Sequence, residues 1–220
     1  MMKIDEFNAN EQIRSEIAQL AAKLIAEEGL EYASAKRRAA KQLLGKHKIN
    51  GHILPDNKQI EQEVREYHAL FFADTQPQRL YHLRCIALEF MQSIAHFNPY
   101  LVGAVQNGTA GKHADIYLHL YTDNCKEVAI FLLNKGLQFE VTEHAEIRDT
   151  SLECFSFMYR EEGIHLLNFD QDAIRRNEKF ERTNIAGLLA LLNRESNRES
   201  NEPAGASTLE ASDLFATKTA

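Results

Sequence analysis

The stretch Val102-Gly-Ala-Val-Gln-Asn-Gly-Thr-Ala-Gly-Lys-His-Ala-Asp-Ile-Tyr-Leu-His-Leu120 decides how this chain folds. A short apolar strand, predicted over Tyr100–Val105, runs into a glycine-rich loop. The loop runs into a second strand, Asp115–Tyr121, that alternates strictly. Alternation turns Asp115, Tyr117 and His119 to one side and Ile116, Leu118 and Leu120 to the other, core-facing side. A single carboxylate, Asp115, stands at the mouth of the loop. Backbone amides for phosphate, with a strand carboxylate for a metal, are a common way of building chemistry on nucleotides.

Upstream of this stretch the pattern is helical. Ile13, Ile17, Leu20, Leu24 and Ile25 recur at helical spacing over Glu11–Leu30, with Gly29 as a stop. A basic helix over Ser34–Leu44 ends at Gly45. A polar loop with Gly51 and Pro55 follows. Asp56 or Asn57 then caps a helix whose apolar face is Ile60, Val64, Tyr67, Leu70 and Phe71. The linker Asp74–Gln78 leads into a long helix, Arg79–Phe97.

Downstream, Asn124–Asn134 reads as a helix ended by Gly136. Leu137–Thr142 is a strand, and Leu152–Tyr159 with Ile164–Phe169 forms a hairpin around Glu161-Glu-Gly163. A last helix starts at Asp170 or Asp172 and reaches about Asn193. The predicted fold class is therefore α+β: a helical region over 1–78, an α/β core over 79–193, and a disordered tail over 194–220.

Composition narrows the function classes. The chain has 220 residues and a formal net charge of −7. That balance argues against bulk electrostatic attraction to nucleic acid or an anionic membrane. No apolar run approaches the roughly 18 residues that a membrane span needs. The opening Met1-Met-Lys-Ile-Asp-Glu6 carries no apolar h-region, so a cytoplasmic protein is expected. Cys85, Cys125 and Cys154 form no CxxC pair and read as buried, reduced thiols. The nine histidines are scattered, without an HExxH.

Three readings compete for residues 102–120. Gly108-Thr-Ala-Gly111-Lys112 resembles the tail of a GxxxxGK[ST] P-loop, as in the muramyl-peptide ligases, and implies an ATP-binding ligase-type protein. The first glycine would then fall at Gln106 and the magnesium-binding hydroxyl at His113. A P-loop lysine opens a helix, whereas an alternating strand follows Lys112.

The second reading rests on more residues. Gly103-Ala104 stands where the nucleotidyltransferase superfamily, with its polymerase-β-like fold, has Gly-Ser. Gly108 supplies the loop glycine. Ala114-Asp115-Ile116-Tyr117-Leu118 stands where that family has Ser-Asp-h-Asp-h. The order of elements over residues 80–170 agrees, and the segment resembles that superfamily. The resemblance implies strand carboxylates that bind two magnesium ions, here Asp115 and, on the third strand, Glu140. It implies a nucleoside triphosphate approached by the backbone at Gly103 and Gly108, with Lys112 offsetting its charge. Ala104 lacks the phosphate-binding hydroxyl. Tyr117, a phenol at the second carboxylate position, is a poor magnesium ligand. Transfer of a nucleotidyl group is therefore expected to be weak, altered or lost, with nucleotide binding kept. In the third reading, the glycines make only a tight connection and Asp115 hydrogen-bonds within it. The chain is then a non-catalytic interaction or scaffold protein.

Lesser candidates complete the reading. Lys36, Arg37, Arg38 and Lys41, with Lys46 and Lys48, form a basic cluster for RNA or a protein partner, or simply a solvated helix face. His113 and His119 flank Asp115. Tyr117 either stacks on a base or packs against the N-terminal helices. Glu143, His144 and Glu146 lie just past the third strand. Cys125 opens a helix, where the dipole favours a thiolate.

Overall fold

The computed structural model describes residues 2–45, 53–144, 152–176 and 181–199. Lys46, Lys48, Gly51, Glu146 and the tail from residue 200 onward lie outside the described residues, as do the side chains of Glu143 and His144.

Three helices open the chain: α1 (Met2–Glu28), α2 (Tyr32–Leu44) and α3 (Asn57–Phe71). They share a core of Ile17, Ala21, Ala22, Leu24, Ala35, Ala39, Ala40, Ile60 and Val64. The alanines allow close approach of the helix axes, which Leu or Phe at those positions would prevent. Gly29 ends α1 at φ 69°. Asp56 opens α3 with a capping box: its carboxylate accepts from the Gln59 N–H, and its own N–H donates to the Gln59 amide oxygen. One expectation fails on α3. Its buried face is Ile60, Val64 and His68, while Leu70 and Phe71 are 77% and 64% exposed. Residues four apart stack along one side of a helix, and that side selects His68 rather than the apolar pair.

The helix α4 (Gln76–Ser93) begins earlier than predicted, with Pro77 in its first turn, and gives way to a 3-10 turn over Ala95–Phe97. Then come β1 (Tyr100–Val102), α5 (Gly103–Asn107), β2 (Ile116–Tyr121), α6 (Cys125–Asn134), β3 (Phe139–His144), β4 (Leu152–Tyr159), β5 (Glu162–Phe169), α7 (Ala173–Arg176) and α8 (Ile185–Glu199). The fold is α+β, with one mixed sheet in the order β1-β2-β5-β4-β3, in which β2 and β5 are parallel and the other pairs antiparallel.

Several predicted boundaries shift, β2 starting at Ile116 and β3 running over Phe139–His144, and four further differences shape the sheet and its surroundings. The first strand stops at Val102, because Gly103 turns at φ 71° and starts α5. The hairpin turn is Arg160-Glu161, both with positive φ, so β5 starts at Glu162. The last helix is broken into α7 and α8. Between them Thr183 exchanges two backbone hydrogen bonds with Leu101 and so occupies the open edge of β1. Finally, α8 continues through residues 194–199, where a disordered tail was expected. Leu188 and Leu192 bury its inner face, and Glu195 pairs with Arg84 on α4.

One face of the sheet is apolar. Ile116, Leu118, Leu120, Phe155, Phe157, Ile164 and Leu166 pack there with α4, α6 and α8. The alternation read from β2 is confirmed, with Ile116, Leu118 and Leu120 fully buried. The opposite face holds Tyr117, His119, Ser156 and His165. No helix among the described residues is long and apolar enough to cross a membrane.

Candidate functional site

Strand register lines up Val102, Tyr117, His165, Ser156 and Glu140 as a row across the sheet, on the face opposite the apolar core. Cross-strand neighbours on one face touch, and at the centre of this row they form a connected polar group. His165 Nε2 lies 3.2 Å from Asp115 Oδ2, and His165 Nδ1 lies 2.8 Å from Ser156 Oγ. Cys154 Sγ lies 3.7 Å from the same Ser156 hydroxyl. The Tyr117 ring stacks on the imidazole at 4.5 Å, with an interplanar angle of 21°. His165 is thus held on three sides: carboxylate, hydroxyl and aromatic face.

These contacts set the proton affinities. The Cys154 thiol and the Asp115 carboxylate raise the His165 pKa above the ordinary imidazole value, against the effect of burial. Burial pushes the Cys154 thiol up, but hydrogen bonds from His165, Ser156 and Thr142 outweigh it and the net shift is down. Burial, with Asp115 and Glu31 nearby, raises the Tyr117 phenol and keeps it neutral. Because the folded-state pKa of His165 is the higher one, its charged contact with Asp115 is fully present below the ordinary imidazole range. The contact is lost as pH rises through the raised value.

Gly163 explains how Asp115 reaches His165. A Cβ built on Gly163 would lie 2.5 Å from Asp115 Oδ1 and 2.8 Å from its Cγ. The carboxylate therefore lies against bare backbone at the start of β5. Gly163→Ala should leave the fold intact, since Asp115 is an exposed side chain that can rotate, and should swing the carboxylate off His165. The expected result is a lowered His165 pKa in an NMR titration of the ring protons; an unchanged value would mean that Asp115 does not hold the imidazole.

The other predicted site residues are dispersed. Gly103 is exposed, at φ 71°, and its α-carbon faces Tyr117. Ala104 packs on the core, and its carbonyl accepts from the Gly108 and Ala110 amides. Gly108 ends α5 at φ 86°, and its own carbonyl accepts from Gln76. The Thr109 amide donates to the Asn107 side chain. The amides of Gly108, Thr109 and Ala110 are thus spent inside the loop, which corrects the expectation that Gly108 opens its backbone to a triphosphate. Lys112 is exposed and is followed by a turn and β2, not by a helix, so the P-loop reading fails.

Glu140 shares the face of Tyr117 but not its neighbourhood. It sits on β3 at the far edge, with β4 and β5 between it and β2. At about 4.8 Å per strand this is roughly 14 Å across the sheet. The resemblance implied that Glu140 on the third strand joins Asp115 at one metal centre, but the more apolar β5 lies beside β2 and leaves β3, with exposed Glu140 and Thr142, at the edge. Asp115 and Glu140 therefore do not converge on one cation, and Tyr117 supplies no carboxylate. Among the described residues no group of three or more His, Cys, Asp or Glu side chains is gathered to hold a metal ion. The residues present do not fit the two-magnesium centre that the sequence resemblance implies.

His113 is exposed and packs against Gly29. His119, its ring tilted against Phe169 at 4.7 Å, is pushed down to about 4 by burial and by Arg182. It is a neutral, partly buried histidine with no acidic partner, not a spare ligand. Burial and the neighbouring Glu153 raise the Cys125 thiol, contrary to the expected effect of a helix amino end. In the basic cluster Lys36 donates to Asn57 and Arg38 pairs with Glu28, while Arg37 and Lys41 are exposed.

His165 and Ser156 carried no role in the sequence reading, and Cys154 entered it only as a buried, reduced thiol. A signal for them existed: a two-residue turn at Arg160-Glu161 pairs Ser156 with His165 by counting outward from Tyr159 and Glu162.

No protein-family model matches the chain, and no curated protein matches it. Among solved structures it is similar to a chain from work on the structural basis for the activity of a cytoplasmic RNA terminal U-transferase, at 14% identity and a TM-score of 0.27. The match covers 63% of this chain and 36% of the other, about a third of that protein's length. This likeness is too slight to carry either fold or activity.

Proposed function

We propose that the open face around Tyr117 and His165 binds a nucleotide and that nucleotidyl transfer by two magnesium ions has been lost from it. The observation that carries the reading is the stacked Tyr117–His165 pair, pinned by Asp115 and lying beside the exposed Gly103. The pair is a preorganised aromatic wall against which a base can stack. Gly103 has no side chain to block close approach of the sugar or phosphate. Where a second acidic ligand would be needed this chain has a neutral phenol, the place beside it on β5 holds the His165 imidazole, and Glu140 lies across the sheet. Binding without transfer is the chemistry that remains.

Calorimetric titration of ATP, GTP, CTP and UTP, each with magnesium and with a chelator, tests this. At least one nucleotide should bind with similar affinity in both conditions. Tyr117→Ala should weaken that binding about tenfold or more, since stacking is worth ~1–3 kcal/mol per base. Absence of binding by all four overturns the proposal and leaves the non-catalytic scaffold reading. The observation favouring that rival is the clasp of the N-terminal helices on the loop, through Tyr32 to Thr109 and Arg65 to the Asn107 carbonyl. Magnesium-dependent binding lost in Asp115→Ala would restore a metal role for that carboxylate.

A further inference from the structure

A second site lies behind the glycine-rich loop. A cavity of about 330 Å³ opens between α1, α3, the first turn of α4 and the loop, lined by Ala26, His68, Phe72, Gln76, Arg79 and Lys112. Its size is at the lower end of small-ligand pockets. The walls are mostly apolar, with Phe72 set edge-on to His68 at 5.9 Å.

Two buried nitrogens here lack hydrogen-bond partners: His68 Nδ1 and Arg79 Nε. His68 is only 4% exposed. Both residues line the cavity, and a neutral imidazole there offers a ligand one donor and one acceptor nitrogen. The charges select the class of ligand. Arg79 donates to both carboxylate oxygens of Glu162, so its charge is already balanced. Burial lowers the His68 pKa and keeps the ring neutral. Lys112 is exposed at the rim and has no ion-pair partner among the described residues. The amino end of α4 also meets the cavity, where its N-cap residue Thr75 makes no side-chain cap. One unbalanced cation and one helix amino end suit a single negative charge better than a doubly charged phosphate.

We infer that this cavity binds a small aromatic carboxylate, its ring against Ala26 and Phe72, its polar edge at His68 and its carboxylate at Lys112. The occupant bridges the helical bundle and the loop that leads to Asp115. The inference is independent of the nucleotide reading, because it uses none of the residues on the open face of the sheet.

The full chain is titrated by NMR and calorimetry with benzoate, indole-3-carboxylate and nicotinate, each beside its neutral carboxamide. At least one acid should bind saturably and shift the His68 ring resonances, with its carboxamide about tenfold weaker. Lys112→Glu, a surface change, should weaken the acid about tenfold without moving the unfolding midpoint. His68→Phe keeps an aromatic ring, removes both ring nitrogens and should also weaken binding. If none of the acids binds, if a carboxamide binds as well as its acid, or if binding survives Lys112→Glu, the inference is overturned.

Discussion

Arg84→Ala should destabilise the protein by about 2–3 kcal/mol, below the range for a fully buried ion pair because the Glu195 side chain is 29% exposed. Arg84 is 5% exposed at the junction of α4, α5 and α8. Its guanidinium pairs with Glu195 and donates to the Val105 and Gln106 carbonyls at 3.0 and 3.1 Å. Those carbonyls belong to the last turn of α5, where no intrahelical donor reaches them and a cation is favoured. Truncation strands a carboxylate and two carbonyls together. Typical domains are stable by only about 5–15 kcal/mol, so the loss is a large share of the total. Urea unfolding of the wild type, Arg84→Ala, Glu195→Leu and the double variant measures it. The double variant should recover part of the loss, because its stranded charge is gone. A loss below about 1 kcal/mol would show that solvent, not Arg84, satisfies these groups. The consequence reaches the site, because α5 carries Gly103 at its first position.

Arg84 also shows where reading the sequence stops. The helix-to-strand change near Pro99, the alternation of β2 and the helix over Asn124–Asn134 were legible because each follows from local periodicity. Arg84 lies inside an apolar helix pattern, and its partner Glu195 is far off in a segment that looked like a polar tail. Nothing local marks such a pair. The same limit governs the site. Asp115 and Tyr117 were found because the alternating pattern runs through both, although β2 itself starts at Ile116 and Asp115 stands just before it. Glu140 was grouped with them because the nucleotidyltransferase resemblance implies a further carboxylate on the third strand. The order β1-β2-β5-β4-β3 inserts a hairpin between them, and strand order is decided by which segment best fills the sheet centre, not by sequence order. His165 gains its place from that same choice. Its polar position between Ile164 and Leu166 told which face it occupies, but not that β5 would run parallel beside β2.

Stability should fall as pH drops from about 6.5 towards 4, by about 3 kcal/mol from His119 alone. Burial, with Arg182 nearby, lowers the folded-state pKa of His119 from 6.5 to about 4. A histidine whose folded pKa is depressed binds its proton more tightly when unfolded. It costs nothing above the unfolded value and progressively favours unfolding below it. A tenfold difference in proton affinity between the folded and unfolded chain corresponds to about 1.4 kcal/mol, which sets the magnitude. His119 Nδ1 has no hydrogen-bond partner, and the ring lies tilted against Phe169 near the Arg182 guanidinium, which itself lies 5.2 Å from the Tyr121 ring centre. Among the described residues no carboxylate pairs with the ring to compensate an imidazolium. His68, also lowered by burial, adds to the loss in the same direction. His165 acts oppositely, since its raised pKa strengthens its contact with Asp115 as pH falls. The variant His119→Phe separates these contributions: it keeps an aromatic ring against Phe169 and removes the titrating nitrogen. Urea midpoints measured across pH 7 to 4 should fall steeply in the wild type and markedly less in His119→Phe. Parallel curves for the two proteins would show that His119 accepts its proton without leaving the core, at no cost to the folded state.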